Sequence, residues 1–185
     1  SITDEDLTNI KNARLFFPPL TTTNLKAFTL TDGALFTNST YKTFEIDGNI
    51  IKMGREAVEN NGERFVCYAW HSVEGYSKFG SYQANGDADG PFVYLGFKPA
   101  MIIIKSVAAS TNWMMWDNKR GIHNPNSTIL RANSYEEEHT GTWKIDMVSN
   151  GFKIRTASSE VSAKALGRRR GVILVTGNCA PGGLP

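Results

Sequence analysis

The sequence predicts an all-β chain: an antiparallel β-sandwich of jelly-roll or concanavalin-like type, preceded by a mostly irregular N-terminal arm with one short helix. Three observations predict it. Short apolar segments, alternating or rich in β-branched residues, recur about every 8–15 residues from Thr43 onward. Gly, Asn and Asp separate them. Ten Phe, six Tyr and four Trp with seventeen Gly supply bulky inner-face side chains and tight turns. The 185 residues fit one domain with an arm, divided as an arm over 1–42 and a sandwich over 43–185.

In the arm, Thr3 can cap a helix whose first turn carries Asp4, Glu5 and Asp6, acids that suit the positive end of the helix dipole. Leu7 and Ile10, with or without Leu15, form its apolar stripe, and Pro18-Pro19 end it. Leu15, Phe16 and Phe17 make an apolar plug in a polar stretch. It has two readings: a seal on an edge of the chain's own core, or an arm docking on a neighbouring subunit. Thr21-Thr22-Thr23-Asn24 reads as a linker, and short strands are predicted at Ala27–Leu30 and Ala34–Thr37, around Asp32-Gly33.

From Thr43 the strands follow in order. Thr43–Ile46 and Ile50–Met53 flank Asp47-Gly48, a favoured hairpin pair because both positions tolerate positive φ. Phe65–Trp70 is a near-continuous apolar run, as expected of a strand covered on both faces. Tyr76–Tyr82 alternates with period two. Phe92–Leu95 follows, then Ala100–Lys105, the most hydrophobic strand. Asn112–Trp116, Thr128–Ala132, Thr142–Met147 and Gly151–Arg155 come next, with Ser149-Asn150-Gly151 turning between the last two; Val172–Thr176 closes the series. The order of turn, strand, polar loop and strand occurs twice, from Gly48 to Trp70 and from Asn150 to Thr176, a weak internal echo.

Composition excludes several classes. Twenty basic against eighteen acidic residues leave a net charge of +2, too balanced to advertise nucleic acid. No apolar run approaches the roughly 18 residues of a membrane span, and no secretory or transit pattern is visible. Cys67 and Cys179 are too few for a disulfide scaffold; Cys67 reads as a small hydrophobe in an apolar strand.

Four constellations could carry chemistry. Asn85-Gly86-Asp87-Ala88-Asp89-Gly90 opens like a calcium loop, with oxygens at alternating positions before a glycine. The loop's twelfth position, which should be Glu, is Gly96, so a polar turn competes with metal binding at Asp87 and Asp89. No other cofactor is expected. Trp113 and Trp116, followed by Asp117, Asn118, Lys119 and Arg120, could stack on sugar rings while the polar residues take the hydroxyls. The competing reading is core packing, and the alternation at Met114-Met115 leaves at most one of the two tryptophans facing outward. His71, His123 and His139 are scattered, no metal, nucleophile-elbow or phosphate-loop motif is present, and Glu136-Glu137-Glu138 reads as a solvated loop. The chain is therefore expected not to be an enzyme. Arg168-Arg169-Arg170 between glycines reads as a solvated basic turn.

One stretch is more specific. Gly75-Tyr76-Ser77-Lys78-Phe79-Gly80-Ser81-Tyr82 is followed by Asn85-Gly86 and Asp89-Gly90-Pro91-Phe92-Val93-Tyr94. Gly96-Phe97-Lys98-Pro99-Ala100-Met101-Ile102-Ile103-Ile104-Lys105 then leads to Asn112-Trp113, Asp117-Asn118-Lys119-Arg120 and Ser149-Asn150-Gly151-Phe152-Lys153. This pattern resembles tail-fibre-like structural proteins of marine tailed bacteriophages, in which such units follow one another beside concanavalin-like, lectin-type sandwiches. The likeness covers roughly residues 60–155 and is densest over Gly75–Lys105. The C-terminus departs from it. Where that family closes with an Asn-x-x-Gly loop and an aromatic strand, this chain has Gly167–Gly171, Val172–Thr176 and a tail from Cys179.

The resemblance implies a virion structural protein in a tail fibre, head fibre or capsid decoration. Its partners would be other virion proteins and copies of itself, a trimer being favoured, with Leu15, Phe16 and Phe17 as assembly contacts. A carbohydrate-binding adhesin using Trp113, Trp116, Asp117, Asn118 and Arg120 on a host-surface glycan is the alternative. A depolymerase is the third reading and requires an acid opposite Glu136–Glu138.

Overall fold

The computed structural model describes the backbone of five strands within residues 1–69, and the chain over 70–106, 110–162 and 170–177. Contacts divide the protein into two units, Ser1–Ala69 and Trp70–Pro185.

In the first unit, β1 (Arg14–Phe16), β2 (Leu25–Thr29) and β3 (Phe36–Asn38) form an antiparallel sheet in that order, with Leu15 opposite Phe28. β4 (Phe44–Asp47) and β5 (Ile50–Met53) make a separate hairpin in which Asp47 faces Ile50, so the connection is Gly48-Asn49. Both strand pairs were expected. The extended course at Arg14–Phe16 was not, since the only element expected before Pro18 was a short helix whose stripe could extend to Leu15. The physical reason lies next door: proline disfavours the helical region for the residue before it, and a short segment running into Pro18 gains more by pairing its backbone with β2. The remainder of that helix, and Phe17, lie outside the described residues, as do Phe65–Ala69, Cys67, Arg168, Arg169 and Cys179.

The second unit holds β6 (Ser77–Gln83), β7 (Phe92–Tyr94), β8 (Pro99–Ser106), β9 (Met114–Asp117), β10 (Asn126–Arg131), β11 (His139–Val148), β12 (Gly151–Ile154), a short helix α1 (Ser159–Ser162) and β13 (Arg170–Gly177). Eight strands form one sheet in the order β6-β13-β8-β9-β10-β11-β12-β7, each neighbour antiparallel. The expected all-β antiparallel class is the observed one.

The sheet folds over on itself at β10. Its Leu130 and Arg131 pair with β9, its Asn126, Thr128 and Ile129 pair with β11, and the register slips between Asn126 and Thr128. A strand shared between two halves, bent at an irregularity, is how a corner is made between packed sheets. Asn126 holds the irregularity. It is buried, donates from Nδ2 to the Asp117 carbonyl at 2.9 Å and accepts the Thr128 amide at 3.1 Å. Gly121 must be glycine beside it, because a Cβ there would stand 1.8 Å from Asn126 Oδ1.

The alternating strands fill one core between the halves. Ile102 and Ile104 of β8, Met114 and Trp116 of β9, Ile129 of β10, Ile145 of β11, and Phe152 and Ile154 of β12 are all essentially sealed from solvent. Each buried aliphatic side chain of this size contributes about 1.5–3 kcal/mol relative to exposure. Val161 closes the core from α1, whose N-terminus is capped by Ser158, and the Tyr82 hydroxyl donates to the Val161 carbonyl. Sequence reading missed α1, since four residues are too few to show a helical period.

The two edge strands also meet. Lys78 of β6 donates through Nζ to the Tyr94 carbonyl of β7 at 3.3 Å, which brings the sheet close to a closed barrel. The start of β6 is covered by residues 71–73: Val73 bridges Ser77, and the Phe79 amide donates to Ser72 Oγ at 3.1 Å.

Candidate functional site

The surface best built for recognition lies on β7 and its neighbour β12. Three residues in the order Phe92-Val93-Tyr94 place one side chain inward and two outward. Val93 packs on the core, while Phe92 and Tyr94 stand 47% and 61% exposed on the outer face. Two aromatic side chains exposed side by side on one strand leave in water a patch of apolar surface whose burial would be favourable.

Glycine sets how these rings lie. Tyr94 faces Gly151 directly across the β7–β12 ladder, and a Cβ added at Gly151 would meet the Val93 carbonyl at 2.1 Å and the Phe92 ring at 3.0 Å. The Phe92 ring therefore rests over bare backbone, a known way in which an aromatic ring covers a sheet glycine. The Tyr94 hydroxyl lies above the other glycine of this patch, Gly96, whose φ of 87° is in the left-handed region. From the β6 side, the Lys78 ammonium stands 5.6 Å from the Tyr94 ring centroid, within cation–π range.

Charge surrounds the rings. Lys153 is directly opposite Phe92, and Asp146 directly opposite Lys153, so all three share the outer face. Arg155 and Lys144 continue that face two residues along their strands. Asp89 accepts from Lys153 at 2.8 Å and from Arg155 at 3.5 Å, and Arg155 also reaches Asp146 at 3.2 Å. The hydrogen bond from Lys153, its charge and that of Arg155 hold the Asp89 carboxyl below the usual range. Counting Lys78, the patch carries four basic groups (Lys78, Lys144, Lys153, Arg155) against two acids (Asp89, Asp146).

The residues singled out from sequence fall elsewhere or serve other ends. Trp113 and Trp116 are 4% and 0% exposed, so neither offers a face to a sugar. This corrects the expectation of a tryptophan platform. Trp116 shares the inner face of β9 with Met114 and donates Nε1 to the Trp143 carbonyl; Trp113 stands just before the strand, beyond the strict alternation, with its amide held by Asn133 Oδ1 at 2.8 Å. Asp117 organises the turn after β9: Oδ1 accepts the Lys119 and Arg120 amides, and Oδ2 accepts Arg120 Nε at 2.7 Å. Burial alone would raise its carboxyl, but these Arg120 and Lys119 bonds outweigh it and leave the group below its ordinary value. The polar rim is thus a turn lock built by Asp117 and Arg120, with Asn118 donating its amide to the Ala100 carbonyl.

The Asn85–Gly90 loop is a chain of side-chain-to-backbone bonds. Asn85 Oδ1 accepts the Asp87 amide and Asp87 Oδ1 accepts the Asp89 amide, at 3.1 and 2.9 Å. Asp89 already faces two cations, and among the described residues no group of three or more His, Cys, Asp or Glu could hold a metal ion. Glu136 and Glu138 are exposed and face Arg131 and Arg120. The β7 aromatics were visible in the sequence as part of a strand, but nothing in their spacing marked the outer face as the exposed one; the inward demand of Val93 and the pairing with Gly151 decide it.

Fold and surface together define an all-β sandwich module with an exposed aromatic edge set in a basic border. The chain belongs to the family described as a domain of unknown function (DUF7483), whose model matches residues 5–167. That match spans β1 to α1 and stops before β13. Comparison with curated proteins and with solved structures finds no match.

Proposed function

We propose that this chain is a structural module of a tailed bacteriophage virion, in a tail fibre, head fibre or capsid decoration, acting through assembly and host-surface attachment rather than catalysis. The observation that carries the reading is where the resemblance-bearing residues lie. The run Gly75–Lys105 forms β6, β7 and β8, that is, both edges of the sheet and its most apolar strand, so the likeness falls on one cooperative part of the sandwich. The large antiparallel sheet and the exposed aromatic edge suit a module that works by surface contact. Homo-oligomer formation, with a trimer favoured, and contacts through Leu15, Phe16 and Phe17 belong to the same proposal. Purified particles provide the test: peptides of this chain should appear in stoichiometric amounts by mass spectrometry, and antibody to it should decorate one defined part of the particle by electron microscopy. Absence of the chain from particles purified from producing cells would overturn the reading.

A further inference from the structure

We propose that the Phe92–Tyr94 edge is a saccharide-binding platform selective for acidic glycans. The inference deepens the attachment half of the reading above and names the ligand class and the residues.

Two outward aromatic side chains at alternate positions of one strand are separated by two residue rises, roughly 6–7 Å. That is the scale of neighbouring rings in a sugar chain. The apolar face of a pyranose packs on an aromatic plane, and Phe92, whose ring lies over Gly151 and is 47% exposed, is available for such a contact. Hydroxyls of the same sugar need polar partners at the rim. Lys78, beside the Tyr94 ring, and Lys153, opposite Phe92, stand at two sides of the pair.

The charge around the rings selects among glycans. Lys78, Lys144, Lys153 and Arg155 outnumber Asp89 and Asp146, so the border is net positive and favours a uronate, sulfate or phosphate substituent over a neutral sugar. Asp89 moderates it by engaging Lys153 and Arg155. The edge itself is closed to an added strand from β6, because Lys78 already bonds the Tyr94 carbonyl. Contact here therefore runs through side chains and suits a ligand that lies across rings.

The test is isothermal titration of the full chain with oligogalacturonate as the acidic probe and a neutral oligoglucoside of equal length, at low and at raised salt. Oligogalacturonate should bind more tightly than the neutral probe and weaken as salt is raised. Phe92→Ala and Tyr94→Ala should each lower its affinity about tenfold or more, Tyr94→Phe should keep it, and Asp89→Asn should raise it about two- to fivefold. Circular dichroism matching that of the unmodified protein shows that the variants are folded. Equal binding of both probes overturns the charge selection. Binding untouched in Phe92→Ala and Tyr94→Ala, or no binding of oligogalacturonate at millimolar concentration, overturns the platform. Self-association abolished by Tyr94→Ala without saccharide binding assigns the edge to a second copy and likewise overturns it. Failure of any kind leaves virion location untouched, since that is read from particles.

Discussion

Tyr82 ties β6 to α1, and replacing it with phenylalanine separates what its ring does from what its hydroxyl does. The ring sits edge-on to Phe152, with centroids 6.4 Å apart and planes at 87°, and Tyr82→Phe keeps that packing. The hydroxyl donates to the Val161 carbonyl in a site only 7% exposed. Losing a buried hydrogen bond and leaving that carbonyl unmet costs about 1–1.5 kcal/mol. All four tryptophans lie at Trp70 or beyond, so tryptophan fluorescence follows the second unit alone. With a urea slope of about 1–2 kcal/mol per molar for a unit this size, the midpoint should fall by about 0.5–1.5 M at neutral pH.

Alkali adds a second, opposite signature. Burial pushes the Tyr82 phenol well above its ordinary value, so the folded protein keeps the proton that the unfolded chain releases. The associated stability is whole below the unfolded value of about 10 and is lost as pH rises beyond it, at up to about 1.4 kcal/mol per pH unit. The variant lacks this loss. The two stability curves should therefore approach each other above pH 10 and cross near pH 11. Parallel curves through that range, or a variant as stable as the original at pH 7, would refute the assignment of Tyr82 as a buried donor.

Four further outcomes are expected. Trp116→Ala should cost about 3–5 kcal/mol by emptying the core, while Trp113→Phe should leave saccharide binding unchanged; urea unfolding and titration calorimetry check the pair. Gly151→Ala should cost about 1–3 kcal/mol, because its Cβ collides with the Val93 carbonyl, and hydrogen exchange should show early loss of protection at β7 and β12. Asp117→Asn should lose about 0.5–1 kcal/mol at neutral pH, read by thermal melting. The Asp117 carboxyl is held low when folded, so its contribution is present above about pH 4 and disappears as pH falls through the folded value, where the variant's curve should be flatter.

Much of the sandwich was legible because its signals are local. Period-two alternation at Ser77–Gln83, the β-branched run at Ile102–Ile104 and the turn before Gly151 each declare a strand from a few residues, and the expected strands form there. What could not be read is which strand lies beside which. The placement of β13 between β6 and β8 depends on residues about ninety positions apart, such as Gly80 opposite Ile173. The binding surface suffered from the same gap. Alternation gives two faces without saying which one is inside, and Trp113 is buried although Trp116, on the opposite parity, is buried too. Phe92 and Tyr94 became the exposed pair only once Val93 had turned inward and β12 had placed Gly151 beneath them. The hairpin at Phe44–Met53 reads as part of the sandwich in sequence, yet by contacts it groups with residues 1–69.

The position of β13 also bears on how the protein is made. A ribosome delivers β6, β7, β8 and the rest of the sheet before the strand that separates β6 from β8 exists. Until residues 170–177 emerge, β6 and one side of β8 lack the ladder partner they share in the folded sheet, and the sheet's centre forms only when its most distant strand in sequence arrives.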